Sequence, residues 1–170
     1  ITLGTGVGVA LLVDGRPYLG ADRIAPESGH LPVPGTGNPC YCGLANCWEQ
    51  VASRNALQQL AMAVAPPEIA AAGPQQAVTH LAATASGRPV FAEYGSRVAL
   101  GLATLLTVHR PDVVVFGGSG AEQFDLLLPG LRSGLGDRPA YYGRFELRSA
   151  ELGDLGGAIG AACLFLHQYQ

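Results

Sequence analysis

The residues best equipped for chemistry lie in one short stretch, Glu27 to Glu49, which reads ESGHLPVPGTGNPCYCGLANCWE. His30 stands ahead of three cysteines, Cys40, Cys42 and Cys47. One imidazole and three thiolates fill a tetrahedral zinc shell and leave no position for water, so a metal held here is structural rather than hydrolytic. Pro32, Pro34, Gly35, Gly37, Pro39 and Gly43 favour turns over a regular element, as a knuckle folded around its ion requires. A carboxylate stands at each end, Glu27 and Glu49, and a rigid metal loop would hold both where a polar ligand can meet them. The competing readings are unrelated core cysteines, or a disulfide in an oxidising compartment. The tight spacing, the histidine on the same segment and the lack of anything resembling a signal peptide favour zinc. Cys163, inside AIGAACLFLH, reads as a small core residue rather than a ligand.

Several elements must position that stretch. Residues 1–19 read as one hairpin: ITLGTGVGVALLV is β-branched and glycine-rich, Asp14-Gly15 is a turn signal, and RPYLG returns. Gly4, Gly6 and Gly8 alternate with Thr5 and Val7, stripping one face for close approach of a backbone or a ligand. Such a GTG turn can present amide N–H groups and the Thr5 hydroxyl to a phosphate; a twisted hairpin with no ligand is the alternative. After the knuckle, Trp48, Val51, Ala52, Leu57, Leu60 and Ala61 fall at helical spacing and predict one or two helices packed on it. Pro66-Pro67 and Gly73-Pro74 break the alanine-rich run that follows into short helical pieces.

A long helix is expected from Pro89 to Arg110, with Phe91, Val98, Leu102, Leu105 and Leu106 on its buried side. DVVVF has the continuous apolar character of a parallel strand buried on both faces, and it ends in Gly117-Gly118-Ser119-Gly120. A helix over AEQFDLLLPGLRSGL should kink or end near Pro129-Gly130. RFELRSA is a further strand, and GDLGGAIGAACLFLHQYQ a closing helix whose early glycines permit tight packing or close passage of a nucleotide. Helix, strand, glycine turn and helix make an α/β unit, and ligands in such sheets bind at the carboxyl ends of the strands.

Composition bounds what this can be. With 170 residues, 48% hydrophobic and 14% charged, the chain can bury one core. A net charge of −3 leaves no basic face for nucleic acid. Every basic residue is an arginine, which removes mechanisms that need a lysine amine. The apolar run RVALGLATLLTVHR is closed by charge at both ends, short of the roughly 18–20 residues a membrane span needs. Strand-like ITL running from Ile1 straight into a glycine turn suggests a piece of something longer.

Taken in order, LGTGVGVALL, GADRIAPESGH, CYCGLANCWEQVAS, PDVVVFGGSG and GDLGGAIGAA resemble the carboxyl-terminal half of ROK proteins, the bacterial group of sugar kinases and sugar-responsive repressors. The resemblance implies an actin-like ATPase (ribonuclease H-like) lobe: an α/β fold with a mixed sheet flanked by helices. Residues 1–170 would form a single carboxyl-terminal lobe with an inserted zinc knuckle at 27–49. It implies Zn2+ on His30, Cys40, Cys42 and Cys47, and sugar hydroxyls on Glu27, Glu49 and His30. Ser53 matches the serine that closes the family's CxExxxS pattern. Gly4, Thr5 and Gly6 resemble the second phosphate loop, and Gly117 and Gly118 the adenosine-side glycines, of an Mg-ATP site. A cytoplasmic homodimer is also implied.

Two departures stand out. Arg23, Ile24 and Pro26 replace the small residues usual before the glutamate, and Asn46 replaces a glycine often found before the last cysteine. The family's DxGxT first phosphate loop and its catalytic aspartate have no counterpart in the 170 residues; Asp14, Asp112 and Asp154 fit neither motif. Three readings follow: the sugar-binding lobe of a hexose kinase, inactive as this chain; the sugar-sensing effector domain of a regulator; or a metal-stabilised scaffold that binds no sugar.

Overall fold

The structure, a computed structural model, describes residues 1–35 and 39–167. Gly37 of the predicted knuckle and the last three residues of the predicted closing helix fall outside them. Strands β1 (Thr2–Leu3) and β2 (Val7–Gly8) pair antiparallel, and so do β3 (Leu12–Val13) and β4 (Arg16–Pro17). The expected single hairpin over 1–19 is therefore two. The Gly4 amide donates to the Gly6 carbonyl at 2.9 Å, closing a turn inside the run expected to be one strand. The second turn is where the sequence puts it, with Asp14 and Gly15 at φ 52° and 74°, the left-handed pair that matches hairpin twist.

A 3-10 turn, Ser28–His30, leads to the knuckle and then to helices α1 (Trp48–Ala52), α2 (Arg54–Met62), α3 (Pro67–Ala71) and α4 (Pro74–Ala82). The Ser53 hydroxyl accepts from the Ala56 amide at 3.4 Å and separates α1 from α2 as the cap of the second. Prolines in the first turn start α3, α4 and the long α5 (Arg88–His109), where a missing N–H costs nothing. Arg110, at φ 46°, ends α5 in a left-handed cap. Then come β5 (Val113–Phe116), α6 (Phe124–Leu135), α7 (Pro139–Tyr142), β6 (Glu146–Ser149) and α8 (Gly156–His167).

Strands β5 and β6 run parallel, from Val113 opposite Glu146 to Phe116 opposite Ser149. Beyond the end of β5, Gly117 accepts from the Leu3 amide and donates to the Ile1 carbonyl, both at 2.8 Å, so β1 joins as a parallel neighbour. The order β2, β1, β5, β6 thus mixes one antiparallel and two parallel contacts, assembled from two-stranded pieces rather than one continuous sheet.

Helices α5 and α6 make the core. They approach through glycines: a Cβ on Gly95 would stand 2.1 Å from the Leu127 carbonyl oxygen, and one on Gly130 would stand 1.8 Å from that of Ala92. The Ser96 hydroxyl donates to the Gly130 carbonyl at 3.1 Å. This packing carries α6 through Pro129 to Leu135, where the sequence alone favours an end. Buried contacts with α5 outweigh the one hydrogen bond that proline removes.

Two expectations of burial fail. Val114 and Phe116 are buried, but Val113 and Val115 are 42% and 43% exposed, so β5 is covered on one face only. Along α8, Ile159, Leu164, Phe165 and Leu166 are exposed, as is Cys163. A Cβ on Gly157 or Gly160 would meet nothing within 4 Å, so these glycines serve no close packing among the described residues. Apolar composition predicts that a helix can be buried; it does not supply the neighbour that buries it.

Trp48 ties the knuckle to this core. It is fully buried against α5, where a Cβ on Gly101 would lie 2.1 Å from the indole Cδ2. The Tyr94 hydroxyl, also on α5, donates to the Ala52 carbonyl at 2.8 Å, so both ends of α1 are anchored. Gly101→Ala would overpack this notch at a cost of about 1–3 kcal/mol. The expected result is a Tm lower by about 2–12 °C in thermal denaturation; an unchanged Tm would mean that the notch is slack.

Candidate functional site

The knuckle is built on short-range backbone bonds. Val33 donates to the Asn46 carbonyl at 3.2 Å, and Trp48 to the Leu31 carbonyl at 2.8 Å. With the antiparallel bridge between Pro32 and Cys47, these bring the His30 end of the loop against its last cysteine. Cys40 donates to the Leu44 carbonyl at 3.0 Å, and Gly43 to the Cys40 carbonyl at 2.9 Å; that turn uses a φ of 91° at Gly43, a value open to glycine.

His30 Nδ1 then lies 3.5 Å from the sulfurs of both Cys40 and Cys47. The ligand atoms of His30, Cys40, Cys42 and Cys47 all fall within 4.8 Å of one another. A tetrahedral zinc with Zn–S of about 2.3 Å and Zn–N of about 2.0 Å separates nitrogen from sulfur by about 3.5 Å. The four side chains therefore fit a zinc ion in donor type and in spacing. The amide of Cys42 and the neighbouring polar groups pull the Cys40 thiol down to about 6, while burial pushes that of Cys47 up to about 11.

With Nδ1 turned to the sulfurs, the other ring nitrogen, Nε2, faces the Tyr41 hydroxyl at 2.9 Å. A ligating histidine is oriented by the partner of its second nitrogen. Tyr41 is 84% exposed, and its ring meets the imidazole edge-on, 4.9 Å between centroids. Its hydroxyl lies above the ordinary phenol value, through desolvation first and then through the negative groups of Glu49, Cys40, Glu27 and Cys42. Both predicted carboxylates therefore act on the same phenol.

Glu49, in the first turn of α1, links the knuckle to the glycine turn of residues 4–6. Its Oε2 accepts from the Val7 amide at 3.1 Å. A Cβ on Gly6 would stand 2.2 Å from that oxygen, which accounts for one of the stripped positions in the GTGVG run. Glu27 precedes the 3-10 turn; its carbonyl accepts from the His30 amide at 3.0 Å, and its side chain is exposed. Gly29, between them, backs directly onto β2, because its Cβ would fall 1.8 Å from the Val7 carbonyl oxygen.

The second glycine turn lies beside the first. Gly118 has a φ of 82°, and a Cβ there would stand 2.8 Å from the Leu3 carbonyl oxygen. Arg54 spans the two: its Nη2 donates to Thr5 Oγ1 at 3.2 Å, its Nη1 to Ser119 Oγ at 3.3 Å, and its backbone amide to the Gly4 carbonyl at 2.8 Å. The structure thus brings Gly4, Thr5, Gly6, Gly117 and Gly118 to one edge of the strands and attaches them, through Glu49 and Val7, to the knuckle. Sequence reasoning passed over Tyr41 and Arg54.

The chain matches known proteins over nearly its whole length. Glucokinase of Streptomyces coelicolor is 32% identical over 186 residues, a match covering 96% of this chain and 57% of that protein. The xylose repressor of Bacillus subtilis is 24% identical over 173 residues, covering 99% of this chain and 44% of the repressor. The crystal structure of a ROK family glucokinase from Streptomyces griseus, in complex with glucose and AMPPNP, superimposes with a TM-score of 0.78 at 29% identity, over 96% of this chain and 58% of that one. The chain spans little more than half the length of the glucokinases it matches. A model of the ROK family matches residues 1–168, and the chain belongs to the ROK family.

Proposed function

We propose that this chain is the sugar-binding lobe of a ROK-type, ATP-dependent hexose kinase, stabilised by a structural zinc and catalytically incomplete by itself. The observation that carries this reading is the hydrogen bond from the Val7 amide to Glu49 Oε2 at 3.1 Å. It joins a carboxylate suited to sugar hydroxyls to a glycine turn suited to phosphate, as a phosphoryl transfer between the two ligands requires. Zinc, when bound, supplies rigidity and no reacting group. His30, Cys40, Cys42 and Cys47 would hold it, and Glu27, His30 and Glu49 would present oxygen and nitrogen atoms to adjacent hydroxyls of the sugar.

Gly4, Thr5, Gly6, Gly117 and Gly118 would face the nucleotide. The base that takes the proton from the acceptor hydroxyl, and a first phosphate loop, would come from residues other than these 170. The similarity to a glucokinase over 57% of that enzyme's length supports a lobe of this kind.

A second reading is the sugar-sensing effector domain of a transcriptional regulator, as in the xylose repressor the chain resembles. It is favoured by Arg23, Ile24 and Pro26, which stand exposed ahead of Glu27, with Arg23 at a φ of 63°. In either reading the lobe works as a homodimer.

Calorimetry of the zinc-loaded chain with glucose, N-acetylglucosamine and mannose tests both. At least one hexose is expected to bind, and Glu49→Gln is expected to weaken it at least tenfold, because a half-buried charge-assisted acceptor is lost. The chain with Mg-ATP and that hexose should produce no sugar phosphate. Turnover would overturn the incompleteness, and silence toward all hexoses would overturn sugar binding.

A further inference from the structure

Arg54 has no place in the functional reading so far, yet it occupies the most connected position between the two glycine turns. It sits in the first turn of α2, a nine-residue helix, and its guanidinium is half-buried. A guanidinium has five N–H donors. One bonds the Thr5 hydroxyl and one the Ser119 hydroxyl, while the Nε donor is buried without an acceptor among the described residues. The ion pairs among the described residues are Arg97 with Glu93 and Arg148 with Glu146, so no carboxylate neutralises Arg54. The nearby acid, Glu49, is turned to the Val7 amide.

A partly desolvated cation held only by neutral hydroxyls is unfavourable until an anion reaches it. The surroundings specify the kind of anion. The planar fork of arginine matches phosphate oxygens in pairs. Thr5, exposed, and Ser119 offer two further hydroxyl groups, and beside them a Cβ on Gly4 would meet nothing nearer than the Gly6 carbonyl oxygen at 3.9 Å, so the turn is open there. The positive end of α2 adds to the same field.

We infer that Arg54, with the hydroxyls of Thr5 and Ser119, is a binding residue for the terminal phosphates of a nucleoside triphosphate, closing over them from the knuckle side of the glycine turn. This deepens the kinase-lobe reading and rests on it.

The test is calorimetry of the zinc-loaded chain with AMPPNP in Mg2+, with adenosine, and with the hexose that binds, using the native chain, Arg54→Gln and Arg54→Lys. AMPPNP is expected to bind the native chain with an affinity that falls as salt is raised, at least tenfold more weakly to Arg54→Gln, and at least threefold more weakly to Arg54→Lys, which keeps the charge and loses the fork. Adenosine and hexose affinities should be unchanged in all three. Equal AMPPNP affinity for the native chain and a folded Arg54→Gln would overturn the inference and leave Arg54 as a staple between two loops.

If Arg54→Gln fails to fold, the lysine variant decides, and equal affinity there overturns the inference in the same way. Hexose binding without AMPPNP binding to the native chain would also sink this inference while leaving the sugar lobe standing. Failure of both ligands would remove the reading beneath it.

Discussion

Removing zinc from the proposed site with a chelator, or replacing Cys47 by Ser, is expected to abolish the proposed hexose binding and to loosen the loop between His30 and Trp48, while α5 and α6 stay folded. Structural zinc contributes about 10–16 kcal/mol in small peptides that have no other core. Here Phe91, Tyr94, Leu102, Leu127 and Leu131 lie buried on α5 and α6, so the loss is expected to centre on the loop and reach the core through Trp48. Metal analysis should give one zinc per chain, and Cys47→Ser should give much less.

The pH dependence follows from the thiols. Cys40, lowered to about 6, contributes stability to the metal-free loop that is fully present above its ordinary value near 9 and is lost as pH falls through 6. Cys47, raised to about 11 by burial, contributes below 9 and loses that contribution as pH rises through 11. At pH 7 zinc therefore meets a thiolate at Cys40 and must displace a proton from Cys47. Proton release on zinc uptake, read from calorimetry in buffers of different ionisation enthalpy, should be at least one per ion below pH 9, and affinity should fall as pH drops from 7.5 to 5.5. A chain that takes up no zinc, or binds hexose equally well after chelation, ends the structural-metal reading.

Gly29→Ala is expected to be the most damaging single methyl addition near the site. Its Cβ would fall 1.8 Å from the Val7 carbonyl oxygen, and neither partner is a mobile side-chain tip. The 3-10 turn carrying His30 must separate from β2, at a cost at or above the upper end of the usual overpacking range of about 1–3 kcal/mol. Gly6→Ala supplies the contrast. Its Cβ would meet Glu49 Oε2 at 2.2 Å, but that oxygen ends a flexible side chain and can swing away. Thermal melts should show Gly29→Ala destabilised and Gly6→Ala nearly native, whereas hexose calorimetry should show both impaired. Native binding by Gly6→Ala would mean that the Glu49 carboxylate is not held where the sugar needs it.

What could be read from the sequence divides along the range of the interactions. Helix α5 was legible from Pro89 at its start and from the spacing of Phe91, Val98, Leu102 and Leu106, all local signals. The four metal-ligand candidates were legible because they lie on one segment, and the structure brings their ligand atoms together. The split of residues 1–19 into two hairpins was not, since it depends on a bond between Gly4 and Gly6 and on where β1 meets Gly117.

Arg54 was missed for the same reason. Its hydroxyl partners are 49 and 65 residues away, and no local pattern marks a side chain by the loops it will bridge. Cys163 and the outer valines of β5 were misread as buried because hydrophobicity reports a preference for cover, and cover is supplied by residues distant in sequence.

Val7 gives its amide to the acid on α1 and its carbonyl abuts the glycine before His30, so one peptide segment is shared by everything on either side of it. If the proposed sugar and nucleotide both bind, a ligand that settles this segment from one side would lower the ordering cost for one arriving from the other. Thermodynamic reciprocity would then require that each raise the other's affinity by an identical factor. The order in which the two are added cannot alter the final occupancy, and any synergy measured in one direction fixes its value in the other.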